Sequence, residues 1–358
     1  MSFPLPVIDL SPWFNRKDSS RDELESTSRK IHDACLRYGF FYLKLQGFAT
    51  EEEMEELANL GREFFHLEQI KKDEIRLANE NGARGYQRLK ENVTMGKADN
   101  HEGIDFYKPV AQPDKTKPLW GKNQWTKHVP EFREKFEAWI QKMKALGLIV
   151  MEAMAMGLGM TQPEWENLKS QVDDSFWVMR IIGYPPLPSD HDGFSCGAHK
   201  DYGCLTFLYA DHTPSALQVF LNEGTEVAQN AIDASIALPI EQGDTEGVWI
   251  NADPLPGAIV CNIGEMWETW TAGLYKSTLH RVIHRSSNYR VSVPFFFEPN
   301  FDALVEPTDA ALHILRASKN AKEVELLKAQ YPSVVYGEFL KSKVGGNFTS
   351  DSQPKERY

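Results

Sequence analysis

The sequence predicts a mixed α and β fold in which the second half of the chain forms a β sandwich or barrel carried on helices. Two patterns predict it. Phe132, Phe136, Trp139, Met143, Leu146, Val150 and Ala153 recur at three- and four-residue steps, the apolar stripe of one long helix lying on the outside of a sheet. After Asp174 the pattern changes to short apolar and β-branched runs at 176–184, 204–210, 216–221, 248–251, 258–263, 280–284 and 290–298, punctuated by Gly and Pro.

The remaining elements follow in order. Pro4 to Leu10 reads as a short apolar strand, and Arg21 to Tyr38 as a helix with Leu24, Ile31 and Cys35 on one side and Gly39 stopping it. Phe40 to Leu45 is a strand. Thr50 and Glu53 have the spacing of a capping box for a helix that turns Met54, Leu57 and Phe64 inward. Asn79 to Gly103 reads as loop with short extended pieces. The long helix starts at Glu131 behind Pro130 and ends near Gly157 and Gly159, with a short helix from Pro163. From Asn320 the chain is helical to about Lys343, then polar and frayed. The divisions are 1–125 for helices and strands supporting the core, 126–173 for the long helix, 174–300 for the β core and 301–358 for the C-terminal helices and tail.

The chain of 358 residues has a formal charge of −12. Such a surface repels nucleic acid and anionic membranes, so neither is expected as a partner. Four cysteines without a C-x-x-C pair, and no apolar leader or membrane-length apolar run, point to a reduced, cytoplasmic location. The expected assembly is a monomer or weak homo-oligomer.

The chemistry gathers between Ala198 and Ser292. His199 and Asp201, two residues apart between Gly197 and Gly203, share one face if the segment is extended. Two imidazoles and one carboxylate on one side of a metal leave its other side open, which suits non-heme Fe(II) that also binds substrate and O2. For the second imidazole, His280 and His284 share a face; His280 is preferred, with His284 as a hydrogen-bonded neighbour. Cys196 and Cys204 flank the motif and are expected to be buried, not ligating. Arg290 and Ser292 have the same alternate spacing on an apolar strand. A buried guanidinium there needs an anion, either a ligand carboxylate gripped in two-point fashion or an Asp or Glu of the chain.

These residues resemble the Fe(II)/2-oxoglutarate-dependent dioxygenases of the isopenicillin N synthase-like group. The resemblance covers most of the chain: Pro6-Val-Ile-Asp-Leu10, Tyr38-Gly-Phe-Phe41, Arg84-Gly-Tyr86, Trp125 and Tyr184-Pro-Pro186. Its most specific part is His199-Lys-Asp201-Tyr-Gly203, Asn262-Ile-Gly-Glu265, Lys276-Ser-Thr-Leu-His280-Arg-Val282 and Arg290-Val-Ser292. It implies a double-stranded β-helix (jelly-roll) core, with His199, Asp201 and His280 as iron ligands. It also implies that Arg290 and Ser292 hold the distal carboxylate of 2-oxoglutarate, with Tyr184 adding a hydrogen bond. The implied activity is oxidation of a small organic molecule, hydroxylation by default, with Fe(II), 2-oxoglutarate and O2, giving succinate and CO2.

Two positions depart from the group. Ile182 stands where many relatives have Asn, and Asn222 to Glu246 replaces a short hairpin turn, as a surface excursion or as a lid or oligomer contact with Ile232, Ile236, Leu238 and Ile240 in its apolar middle. The rival readings are an oxidase of the same fold that uses no 2-oxoglutarate, a non-catalytic binding protein, and a protein-modifying oxygenase. Tyr86, Phe106, Phe207, Phe297 and Tyr336 are aromatic candidates for the substrate pocket, and core packing accounts for each equally well.

Overall fold

Alternation along the strand Arg290–Phe297 sorts its side chains to two faces. In the computed structural model, which describes residues 5–80, 82–94, 97–222, 224–233, 237–238 and 247–344, Val291, Val293, Phe295 and Phe297 are buried under helices. Arg290 and Ser292 turn the other way, into the space between two sheets. The larger sheet has eight strands in the order Val7–Asp9, Phe40–Lys44, Ala258–Ile263, Leu205–Ala210, Arg290–Phe297, Val178–Tyr184, Glu102–Tyr107 and Gly85–Gln87. The smaller has four: Gly247–Asn251, Leu217–Asn222, His280–Ile283 and Phe194–His199. Apart from Val7–Asp9 beside Phe40–Lys44, every named strand pair is antiparallel. This is the jelly-roll core that the resemblance implied.

The N-terminal region shares in the sheet, because four of the eight strands of the larger sheet come from residues before 108. Helices cover its outer face. Phe132–Gly157 lies against Arg290–Phe297 at Gly147, where a Cβ would come within 2.2 Å of the Phe297 ring. Arg21–Arg37 is fixed at its start by a Ser20–Glu23 capping box, and Gly39 follows it at φ +64°. A cluster of Tyr42, Ile182, Leu217, Val219, Val260 and Val282 fills the inside of the roll.

Several expectations need correction. Phe194–His199 and Glu102–Tyr107 are strands that the sequence reading passed over. The strand at 194 ends on His199, so Asp201 lies in the following loop and not on the same strand face. Only half of the Thr50 capping box forms: Thr50 accepts from the Glu53 amide, while the Glu53 carboxylate pairs with Lys142 at 2.6 Å. The helical tail is two helices, Ala321–Gln330 and Tyr336–Val344, separated around Pro332, whose ring cannot continue the first. In the 222–246 stretch the helix Glu226–Asp233 buries Val227, Ala228 and Ala231 against the inside cluster and leaves Ile232 exposed. Leu238 bridges to Trp249, and Ile236 and Ile240 lie outside the described residues. Tyr86, Phe106, Phe207 and Phe297 belong to the core under the helices.

Candidate iron and co-substrate site

Antiparallel pairing brings the two imidazoles together. His199 ends one strand, His280 begins its neighbour, and the two are register partners with ring centroids 4.3 Å apart. An irregularity in the pairing sets Cys196, three residues before His199, opposite Val282. The loop after His199 then returns Asp201 to the pair, held by its own carbonyl, which accepts from the Glu265 amide at 2.9 Å.

The atoms are sorted by what already occupies them. His199 Nδ1 donates to the Gly197 carbonyl at 2.8 Å and His280 Nδ1 to the Thr278 carbonyl at 3.1 Å, which leaves each Nε2 as the nitrogen available to a metal. Both Nε2 atoms face one oxygen, Asp201 Oδ1, at 3.8 and 3.7 Å. The other oxygen, Oδ2, accepts from Thr206 Oγ1 at 2.5 Å and Asn262 Nδ2 at 2.6 Å. Burial, with His199 alongside, pushes the His280 imidazole down to about 4, so it is neutral at neutral pH. Burial opposes ionisation of Asp201, but the two imidazoles and the Thr206 and Asn262 hydrogen bonds hold it below the usual carboxylate range. Burial works against charge on His199, but Cys196, Asp201 and the Gly197 carbonyl outweigh it and raise that imidazole to about 10, so a metal would take the place of its Nε2 proton. Two imidazole nitrogens and one anionic oxygen on the same side make a donor set that fits Fe(II).

His284 is fully buried elsewhere, its Nε2 donating to the Asn288 carbonyl at 2.9 Å. Cys196 Sγ lies 3.9 Å from His199 Nδ1, on the side away from Nε2, and Cys204 is buried. His101 is 1% exposed and stacks edge-on to Tyr184, with Nδ1 on the Ser195 carbonyl at 2.9 Å. It forms a second close group with Asp99 and Cys196, but both Asp99 oxygens are already taken by Gly197 N, Thr94 Oγ1 and Asn92 Nδ2.

The second part of the site lies on the inner face of the larger sheet. Arg290 pairs in register with Tyr184, and Ser292 with Ile182. The Arg290 guanidinium is 2% exposed and sits 4.7 Å over the Tyr184 ring. Its Nε and Nη1 have no hydrogen-bond partner, and no carboxylate of the described residues pairs with it. A buried cation with open donors is costly unless an anion completes it, so the chain of alternatives resolves against an internal Asp or Glu. The Ser292 and Tyr184 hydroxyls lie near one another beside it. A planar carboxylate fits this fork.

The sequence reading quoted Asn262 without a role and missed Thr206, the two residues that orient Asp201, and it missed a charged pair further along the same inner face and a buried carboxyl beyond the strand's end. Arg180 and Asp105 are register partners, and Arg180 Nε donates to Asp105 Oδ1 at 2.7 Å. Glu298 is buried, with Oε2 unpartnered and its carboxyl packed where a Cβ on Gly203 would sit. The signal for Arg180 was present: it shares parity with Tyr184 in an otherwise apolar strand.

Residues 174–299 match the 2OG-Fe(II) oxygenase superfamily, and residues 5–128 match the N-terminal region described as non-haem dioxygenase in morphine synthesis. Homoarginine-6-hydroxylase of Glycine max is 38% identical over 96% of this chain and 97% of its own length. The enzyme of that name from Oryza sativa is 37% identical over 96% and 97%. Among solved structures, a 2OG-Fe(II) oxygenase family protein of Caulobacter crescentus superposes with a TM-score of 0.73 at 22% identity, covering 96% of this chain and 99% of the other. Arabidopsis thaliana dioxygenase for auxin oxidation 1, in a binary complex with 2-oxoglutarate, gives 0.60 at 19%, covering 89% and 98%.

Proposed function

Because the chain belongs to the 2OG-Fe(II) oxygenase superfamily, we propose that His199, Asp201 and His280 hold its Fe(II), that Arg290, Ser292 and Tyr184 bind the distal carboxylate of 2-oxoglutarate, and that its substrate is a basic α-amino acid of the homoarginine kind. The family makes the chain a 2-oxoglutarate-dependent enzyme that hydroxylates a small molecule. Fe(II) with 2-oxoglutarate and O2 supplies an oxidant able to break an unactivated C–H bond, with succinate and CO2 as the other products.

The protein's own residues do the positioning. The Gly197 and Thr278 carbonyls fix both imidazole tautomers, and Thr206 with Asn262 aims one Asp201 oxygen at the pair. Arg290 supplies charge and a fork, and Ser292 and Tyr184 supply hydroxyls at the same end. Ile182, at the position of the relatives' Asn, pairs with Ser292 and joins Val260 and Val282 in an apolar lining that excludes water. The substrate class is supported by the plant relatives, at 38 and 37% identity over nearly the full chain.

The reading extends to the whole molecule. Residues 1–125 and 126–173 serve a catalytic core at 174–300, with the C-terminal segment 301–358 packed on it. The protein is cytoplasmic, a monomer or weak homo-oligomer, without nucleic-acid or membrane partners, in keeping with its charge of −12. No helix of the described residues is long and apolar enough to cross a membrane.

The observation that carries the reading is the convergence of both Nε2 atoms on one Asp201 oxygen while the other polar atoms of the three side chains are engaged. Anaerobic titration with Fe(II), then 2-oxoglutarate, tests it through the visible charge-transfer band of the complex. His199→Ala and Asp201→Ala lose iron binding. Arg290→Ala keeps iron but needs far more 2-oxoglutarate to develop the band. Equal 2-oxoglutarate affinity in Arg290→Ala and the wild type removes Arg290 from the site, and turnover without stoichiometric succinate replaces this reading with the oxidase.

A further inference from the structure

Arg290 stands where its strand runs out of neighbours. On one side it pairs with Tyr184, but on the other the ladder with Leu205–Ala210 stops short of it, at Ser292 and Ala210. A buried strand end frays unless other groups take over its backbone hydrogen bonds. Asp211 takes them over. Its amide donates to the Val291 carbonyl at 3.0 Å, and its carboxylate Oδ2 accepts from the Val291 amide at 2.9 Å. The two bonds of one further antiparallel pair are thus made, with the Asp211 side chain standing in for its own carbonyl.

The same oxygen accepts from Arg62 Nη2 at 2.7 Å, and Arg62 Nε donates to the Tyr289 carbonyl at 3.3 Å. Nε and Nη2 form one edge of a planar guanidinium, so a single fork spans the residues on either side of Arg290. Arg62 Nη1 donates to Asn59 Oδ1 at 2.6 Å, one turn earlier on the helix Glu51–Phe65, and so fixes the rotamer. The other Asp211 oxygen holds the turn before Arg290. Oδ1 accepts from the Thr213 hydroxyl at 2.6 Å, and that hydroxyl accepts from Asn288 Nδ2 at 2.7 Å. Residues 288, 289 and 291 are all tied to this hub, while the Arg290 side chain keeps its Nε and Nη1 open.

We propose that Arg62 and Asp211 are positioning residues for the co-substrate: they hold the backbone of 289–291 so that the Arg290 fork meets the distal carboxylate of 2-oxoglutarate at two points. The assignment rests on the co-substrate reading above and deepens it. Two parallel N–H···O bonds weaken together when the base of the side chain shifts, so a fork is only as good as its backbone anchor. The metal ligands do not share that anchor, because His199 and His280 lie on the smaller sheet and Asp201 in the loop that follows it. The N-terminal region thereby has a task besides covering the sheet, since its helix carries Arg62 and the core strand carries Arg290.

Anaerobic titration of the Fe(II)-loaded chain with 2-oxoglutarate, read by the charge-transfer band, tests this beside chelator competition for iron and a melting curve. Arg62→Met keeps the aliphatic stem and loses the fork. It raises the 2-oxoglutarate dissociation constant roughly 10-fold, as loss of about one charge-assisted hydrogen bond requires, and leaves Fe(II) affinity at the wild-type value. Arg62→Lys keeps a charge beside Asp211 without a fork and falls between Arg62→Met and the wild type. In an Arg290→Ala background neither Arg62 variant weakens 2-oxoglutarate further, because the side chain it anchors is gone. Should Arg62→Met not fold, Arg62→Lys alone and with Arg290→Ala makes the same comparisons. Wild-type 2-oxoglutarate affinity in either Arg62 variant, an equal loss of Fe(II) affinity, or additive losses in the double variant overturns the assignment and leaves Arg290 in the site. Wild-type 2-oxoglutarate affinity in Arg290→Ala overturns the co-substrate reading, and the assignment with it.

Discussion

Asp201 shows how a single side chain is prepared for a metal. Its Oδ2 takes two hydrogen bonds, from Thr206 and Asn262, and its Oδ1 takes none, so the rotamer that faces the histidines is fixed before any ion arrives. Removing such a partner typically costs metal affinity 10- to 100-fold, roughly the loss expected for Asn262→Ala, with the fold retained. Competition against a chelator measures it; an unchanged Fe(II) constant would mean that the loop after His199 alone orients the carboxylate. The triad itself was legible, since His199 and Asp201 stand between glycines and His280 heads a later strand. The part played by Thr206 and by Asn262, which was quoted only within a motif, was not, because hydrogen bonds to Asp201 from 5 and 61 positions away leave no local pattern. Arg290 was legible as a buried cation in an apolar strand, and its open Nε and Nη1 speak against an Asp or Glu of the described residues as its partner.

At the scale of elements, close approach decides where the long helix lies. Gly147 lets Phe132–Gly157 rest on the sheet through the Phe297 ring, where any Cβ would clash. Overpacking of this kind costs typically about 1–3 kcal/mol, so Gly147→Ala lowers the denaturant midpoint by that equivalent. Phe297 turns away from Arg290 and Ser292 on the same strand, so Fe(II) and 2-oxoglutarate affinities should hold at temperatures where the variant is folded. Loss of affinity in parallel with stability would show that the outer face of the strand also shapes its inner one. The helix was readable because its stripe is regular, and seven core strands were readable because apolar residues fill both their faces. Phe194–His199 escaped because Ser195, Gly197 and Ala198 give it no such run, although it carries His199, the proposed iron ligand. Glu102–Tyr107 escaped because its inward positions are Gly103, Asp105 and Tyr107, and a polar inward face reads as loop until Arg180 is known to oppose it.

At the scale of the whole molecule, buried titratable groups set the pH range in which the fold is strongest. Burial, with Arg180 nearby, pushes His101 down to about 4 from 6.5, so the unfolded chain binds more protons between those values and stability falls as pH drops through them. Glu298 works in the opposite sense. Its carboxyl is raised from 4.5 to about 8, so the folded chain holds the proton that the unfolded chain releases. Stability is then lost as pH rises from 4.5 to 8. Below 6.5 the two trends oppose one another; between 6.5 and 8 Glu298 acts without His101 but together with His199, whose imidazole is raised from 6.5 to about 10 and whose contribution is also lost as pH rises. Melting temperatures of the iron-free protein should therefore decline across that upper window, and Glu298→Gln, which carries no ionisable group, should lessen the decline and leave the part due to His199. A variant whose profile between pH 6.5 and 8 parallels the wild type would show that the Glu298 carboxyl reaches solvent or a cation in the free protein.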